Sequence, residues 1–303
     1  MKILITSNSF SEEFCRILEA HGFDITRNPH GRLLSEEELA WLLRDKDAVI
    51  LSTDPLSARV IDACDRLKVV SRYGTGINNV DVEALKRKGI ALETAAGANK
   101  EAVADHAVGL MLALSHNIVS TDLSRRNGSY RKEKGRDLYG STVGILGLGA
   151  VGRGIAERLK GFKCRILAYD VCWDEEYADK MDIRKADAET IFREGDFISL
   201  NMPGSRELRN FVSRDLLSLM RPGAYLINTA RSDLVDREAL FTVLEAGRIG
   251  GYGADVSWKE PEVDEEFRKL ENVIITPHNA AVTDGAIRRM SEMAVNNVLK
   301  HFE

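Results

Sequence analysis

The stretch Thr142-Val143-Gly144-Ile145-Leu146-Gly147-Leu148-Gly149-Ala150-Val151-Gly152 constrains this chain more than any other. A short apolar run of strand character leads into Gly-x-Gly-x-x-Gly, and Ile155, Ala156 and Leu159 continue it at helical spacing. In that context each glycine has a task. Gly147 permits the tight turn, Gly149 lets the backbone approach a pyrophosphate, and Gly152 lets helix and strand pack closely. The helix start at Ala150 and Val151 offers backbone N–H groups to the phosphates. About 20 residues further on, Asp170 ends the next apolar run, where its carboxylate can accept hydrogen bonds from ribose hydroxyls and repel a 2′-phosphate. Val171, Cys172 and Trp173 add no cation to offset that repulsion, so the motif predicts NAD as cofactor rather than NADP.

The rest of the chain extends the alternation. Ile3-Leu4-Ile5, Ala48 to Leu51, Leu67 to Val70 and Ile90 to Leu92 form one series of short apolar runs. Thr142 to Leu146, Arg165 to Tyr169, Phe197 to Leu200, Ala224 to Ile227 and Val273 to Ile275 form a second. Runs of this kind separated by amphipathic segments predict doubly wound parallel sheets, and 303 residues suit two domains at roughly 150 residues each. The helical spacing of Val103, Ala107, Leu110, Met111 and Leu114 predicts a connector helix after Asn99. A last amphipathic helix is expected from Thr283 or Asp284 through Val298, returning to the first domain. The division expected is 1–98 with 283–303 for substrate, and 99–282 for NAD.

Composition removes several classes of partner. A formal net charge of −5 gives no basic excess for nucleic acid or an anionic membrane, and no apolar stretch approaches the roughly 20 residues of a spanning helix. Cys15, Cys64, Cys164 and Cys172 show no metal-ligand spacing; a reduced, cytoplasmic chain without a metal site is expected. The charged run from Arg125 to Arg136 reads as a solvated loop.

Beyond the glycine motif come Asn228-Thr229-Ala230-Arg231, Gly253-Ala254-Asp255-Val256, Glu260-Pro261 and Thr276-Pro277-His278. With Tyr73-Gly74-Thr75-Gly76-Ile77-Asn78-Asn79-Val80-Asp81 and Gly97-Ala98-Asn99, these segments resemble the D-isomer-specific 2-hydroxyacid dehydrogenases over nearly the whole chain, with phosphoglycerate dehydrogenases nearest in pattern. The resemblance implies two Rossmann-like domains, one flavodoxin-like and one dinucleotide-binding, with a cleft between them and a homodimer built through the cofactor domain. It also implies hydride transfer between NAD and C2 of a small anionic 2-hydroxy or 2-oxo acid. His278 would move the proton at the substrate oxygen, Glu260 would orient and charge-stabilise His278, and Arg231 would grip the carboxylate with its planar fork. Thr229, Ala230 and Asp255 would contact the cofactor, Asp255 at the nicotinamide carboxamide. Backbone N–H groups of Gly74, Thr75 and Gly76 would cradle the carboxylate, with Tyr73 also expected at the substrate and Asn99 lining the same cleft. Ser232, Asn78, Asn201 and Ala96 depart from the family pattern without removing a catalytic group.

The substrate expected first is 3-phosphoglycerate or phosphohydroxypyruvate, its phosphate held by Arg72 with help from Arg131. The alternatives are a hydroxypyruvate or glyoxylate reductase and a non-catalytic NADH-sensing protein. With the chain ending at Glu303, no appended regulatory domain is expected.

Overall fold

The computed structural model describes residues 1–259 and 264–302. The chain divides into two compact units, Met1–Asn99 with Ala281–Glu303, and Lys100–Ala280.

The first unit alternates β1 (Lys2–Ile5), α1 (Glu12–Ala20), β2 (Asp24–Arg27), α2 (Glu36–Leu43), β3 (Ala48–Leu51), α3 (Ala58–Asp62), β4 (Val69–Arg72), α4 (Val82–Lys88) and β5 (Ala91–Thr94). The five strands are all parallel, in the order β2-β1-β3-β4-β5. This is the flavodoxin-like order. On one face Leu4, Val49, Leu51 and Val70 are buried against Leu39, Leu42 and Leu43 of α2 and Ala84 and Leu85 of α4. Each large apolar side chain so buried contributes roughly 1.5–3 kcal/mol. The C-terminal helix Asp284–Leu299 packs on β4. Of its two possible N-caps it is Thr283 that accepts from Ala286 N–H.

The second unit opens with α5 (Lys100–Ser115) and α6 (Ile118–Arg126), then β6 (Thr142–Leu146), α7 (Ala150–Leu159), β7 (Arg165–Tyr169), α8 (Glu175–Met181), β8 (Ile183–Lys185), α9 (Ala188–Glu194) and β9 (Phe197–Leu200). It continues with α10 (Arg214–Leu219), β10 (Tyr225–Asn228), α11 (Arg237–Glu245), β11 (Gly251–Ala254) and β12 (Val273–Ile275); the C-terminal helix is therefore α12. Seven parallel strands run β12-β11-β10-β9-β6-β7-β8, with one apolar cluster on each face. The strand order reverses between β6 and β9, the topological switch point at which ligands of such sheets bind.

Three strands were not anticipated from the sequence. β2 and β8 are polar edge strands, and β11, Gly-Tyr-Gly-Ala, has the composition of a turn. Its glycines are required by contact: a Cβ on Gly253 would stand 2.9 Å from Leu114 of α5, and one on Gly251 would stand 2.6 Å from the Asn272 carbonyl. The charged run after α6 is not wholly solvated either, because Arg136 pairs with the buried Asp196 at 2.5 Å. Among the described residues no single helix is long and apolar enough to cross a membrane.

Candidate active site

The glycine loop behaves as its motif requires. Gly147 has φ +95°, and a Cβ there would meet the Asn201 carbonyl oxygen at 2.7 Å. At Gly152 a Cβ would fall 2.0 Å from the Gly147 carbonyl oxygen, so the helix could not seat on the turn. At Gly149 it would meet open space, so that glycine leaves a surface clear of side chain rather than serving internal packing. Asp170 fixes the loop from the next strand. Its Oδ2 accepts from Leu148 N–H at 2.6 Å and its Oδ1 from Cys172 N–H at 2.8 Å, and each oxygen keeps capacity for a further donor.

At the end of β10 the Thr229 hydroxyl is buried with no hydrogen-bond partner among the described residues. An orphaned buried hydroxyl is costly unless something completes it. Together with the open surface at Gly149, the free first-turn N–H groups of α7 and the Asp170 carboxylate, it fits a dinucleotide laid across the switch point.

Arg231 is held by a neighbour whose role the sequence did not disclose. Asn228, fully buried, donates from Nδ2 to the Arg231 carbonyl at 2.8 Å and accepts at Oδ1 from Ala230 N–H at 3.1 Å. The same Nδ2 donates to the Tyr252 hydroxyl at 3.3 Å, and burial pushes that phenol well above its usual pKa. The turn that presents Arg231 is therefore tied to the core of the sheet.

Asp255, 3% exposed just beyond β11, organises the segment that carries His278. Its Oδ1 accepts from Thr276 Oγ1 and from Asn279 N–H, both at 2.6 Å, and its Oδ2 accepts from Ala280 N–H at 2.8 Å. His278 stands exposed between them with φ +54°, its N–H donating to the Thr276 carbonyl at 2.9 Å. A left-handed conformation is unfavourable for a residue with a Cβ, and the clamp on both sides enforces it. Glu260 lies outside the described residues.

In the first unit the loop after β4 uses its leading N–H groups internally. Tyr73 N–H donates to Leu51 and Gly74 N–H to Arg72, while the Tyr73 side chain turns into the core beside Phe10, its hydroxyl at 3.3 Å from Ser291. Tyr73 and Gly74 thus hold the loop. Thr75 and Gly76 follow with N–H groups that have no hydrogen-bond partner among the described residues. Arg72 is buried; it donates to the Tyr73 carbonyl, and its Nη1 lies 2.9 Å from where a Cβ on Gly74 would sit. Asn99 directly precedes α5, and Arg131 pairs with Glu133 at 2.9 Å.

A family model described as the D-isomer specific 2-hydroxyacid dehydrogenase, NAD binding domain, matches residues 108–280. The chain belongs to the D-isomer-specific 2-hydroxyacid dehydrogenases. The dehydrogenase is 35% identical over 273 residues to a hydroxypyruvate reductase of Thermotoga maritima, covering 88% of each chain. It is 33% identical to a D-3-phosphoglycerate dehydrogenase of Methanocaldococcus jannaschii, over 99% of this chain and 57% of that protein. Its fold superposes with a TM-score of 0.84 on the D-lactate dehydrogenase of Aquifex aeolicus solved with NAD and lactic acid, at 26% identity over 99% of this chain and 95% of that one. The dehydrogenase is accordingly an NAD-dependent oxidoreductase of small 2-hydroxy acids.

Proposed function

We propose that this dehydrogenase reduces a short unphosphorylated 2-oxo acid, hydroxypyruvate or glyoxylate, to the D-2-hydroxy acid. The observation that carries the choice is Arg72. The cation expected to take a distal phosphate is buried, directs one N–H to the Tyr73 carbonyl of its own loop and packs against Gly74. This reverses the order expected from the sequence, where the phosphorylated acid came first. The Thermotoga maritima relative, a hydroxypyruvate reductase, supports the same reading.

In this mechanism NADH supplies the hydride that reaches C2. Arg231 pairs with the substrate carboxylate and polarises the C2 oxygen, since a guanidinium presents several donors in one plane. The N–H groups of Thr75 and Gly76 are further donors proposed for an anionic substrate. His278 passes a proton to the C2 oxygen as negative charge develops there, and Glu260 orients the imidazole. Asp255, with three of its roughly four acceptor positions filled by protein donors, keeps one on Oδ2 for the nicotinamide carboxamide. The homodimer is proposed to form through α6, which has no buried residue and exposes Ile118, Val119 and Leu123.

The test is loss of NADH absorbance with hydroxypyruvate, glyoxylate, pyruvate and phosphohydroxypyruvate in parallel. Hydroxypyruvate or glyoxylate should exceed the phosphorylated acid in kcat/KM by at least about tenfold, and His278→Ala should lose about 10²–10⁴-fold. A preference for phosphohydroxypyruvate would return Arg72 to the phosphate. Turnover that survives His278→Ala would remove the imidazole from the reaction.

A further inference from the structure

The proposed mechanism gives His106 no part. This histidine, in the second turn of α5, places Nε2 2.9 Å from Thr276 Oγ1 and 3.8 Å from Asp255 Oδ1. The direction of the hydrogen bonds follows from what each atom has left to give. The Ala254 carbonyl already accepts from Thr276 N–H at 2.8 Å, and the Thr276 hydroxyl lies 3.2 Å from that carbonyl but only 2.6 Å from the Asp255 carboxylate. The single hydroxyl proton goes to the shorter, charge-assisted acceptor. Thr276 Oγ1 then has only lone pairs to offer, so His106 Nε2 carries the hydrogen and donates. The chain runs from imidazole N–H to hydroxyl to carboxylate.

We propose that His106 is a positioning residue for the nicotinamide end of the cofactor site, acting through Thr276 on Asp255. The carboxylate accepts three protein donors, and two of them, the N–H groups of Asn279 and Ala280, belong to the segment that carries His278. The third, Thr276, is the only one of the three fixed from another element, α5. Without it the carboxylate and the His278 segment still hold each other, but the polar link from α5 to the carboxylate is lost. With it, the remaining acceptor position on Oδ2 points in one direction. The proposal rests on the reading that Asp255 receives the nicotinamide carboxamide.

The experiment compares calorimetric binding of NADH with that of ADP-ribose, which keeps the adenosine and pyrophosphate but lacks the nicotinamide. In His106→Leu and Thr276→Val the dissociation constant for NADH should rise about tenfold, while that for ADP-ribose stays within about twofold. His106→Gln, which can present an amide N–H at the position of Nε2, and Thr276→Ser should restore NADH binding. The double variant His106→Leu/Thr276→Val should bind NADH no more weakly than either single one, because both break the same chain. Should His106→Leu fold poorly, Thr276→Val alone decides the point, with its melting temperature measured alongside.

Asp255→Asn separates this inference from the reading beneath it. If that variant discriminates NADH from ADP-ribose while the His106 and Thr276 variants do not, the relay is wrong and the Asp255 assignment stands. If Asp255→Asn weakens both ligands equally, the assignment itself fails. Equal weakening of both ligands in His106→Leu, or a lowered melting temperature with normal NADH binding, would reduce His106 to a packing residue.

Discussion

Replacing Asn228 by alanine should separate the cost of an unpaired core from the cost of a misplaced arginine. The fully buried amide closes three hydrogen bonds: to the Arg231 carbonyl, from Ala230 N–H, and to the Tyr252 hydroxyl. Truncation leaves the Tyr252 hydroxyl, on a fully buried side chain, and the buried Ala230 N–H without their partner. Each orphaned polar group costs about 1–3 kcal/mol, and with a small cavity added the loss should reach about 3–5 kcal/mol. Urea unfolding followed by tryptophan fluorescence measures it. In a Tyr252→Phe background the same truncation strands one group fewer, so its cost should fall by about 1–2 kcal/mol. Activity should respond independently of stability. The freed turn no longer fixes Arg231, so kcat/KM for the oxo acid should drop about 10²-fold. A loss below about 1 kcal/mol, unaltered by Tyr252→Phe, would refute the argument from orphaned groups. An unchanged kcat/KM would show that the amide does not position Arg231.

Two further outcomes follow from charge and exposure. Asp264 is buried and receives two bonds from Arg237, Nε to Oδ2 and Nη2 to Oδ1, each at 2.8 Å, which hold its carboxyl below the usual range. Its folded pKa lies below the unfolded one, so this stabilisation is present above about pH 4 and disappears as pH falls through the folded value. Arg237→Gln should therefore lower the melting temperature at neutral pH and flatten its decline in acid; a decline as steep as in the parent protein would place the acid sensitivity elsewhere. On α6, Leu123→Glu puts a charge into the exposed apolar face, and light scattering should then report one chain where the parent reports two. A monomeric parent would remove the proposed dimer.

What could be read from the sequence and what could not divide along sequence separation. From β6 to Asp170 every decisive relation is local: a strand of apolar residues, a turn that needs Gly147 at positive φ, a helix start, and an acid that returns to Leu148 N–H from 22 residues away. Chemistry that repeats at short spacing leaves a legible pattern. The parts that escaped reading depend on distant partners. β11 looks like a turn until Leu110 and Leu114 of α5 are laid against it, since only then do Gly251 and Gly253 become a packing requirement. Tyr73 resembles an anion-binding loop residue by position, yet its hydroxyl is directed toward Ser291, 218 residues on, and this decides that it holds the loop.

His106 and Thr276, 170 residues apart, show the same limit at the site itself. A histidine in an apolar helix and a threonine before Pro277 each have an ordinary local explanation. Only their meeting beside Asp255 assigns them a common task. The residues expected to touch substrate or cofactor sit in motifs because they face a ligand of constant chemistry. The residues that aim them are free to come from any element the fold brings near, and in this chain they come from the buried ends of strands and one side of α5.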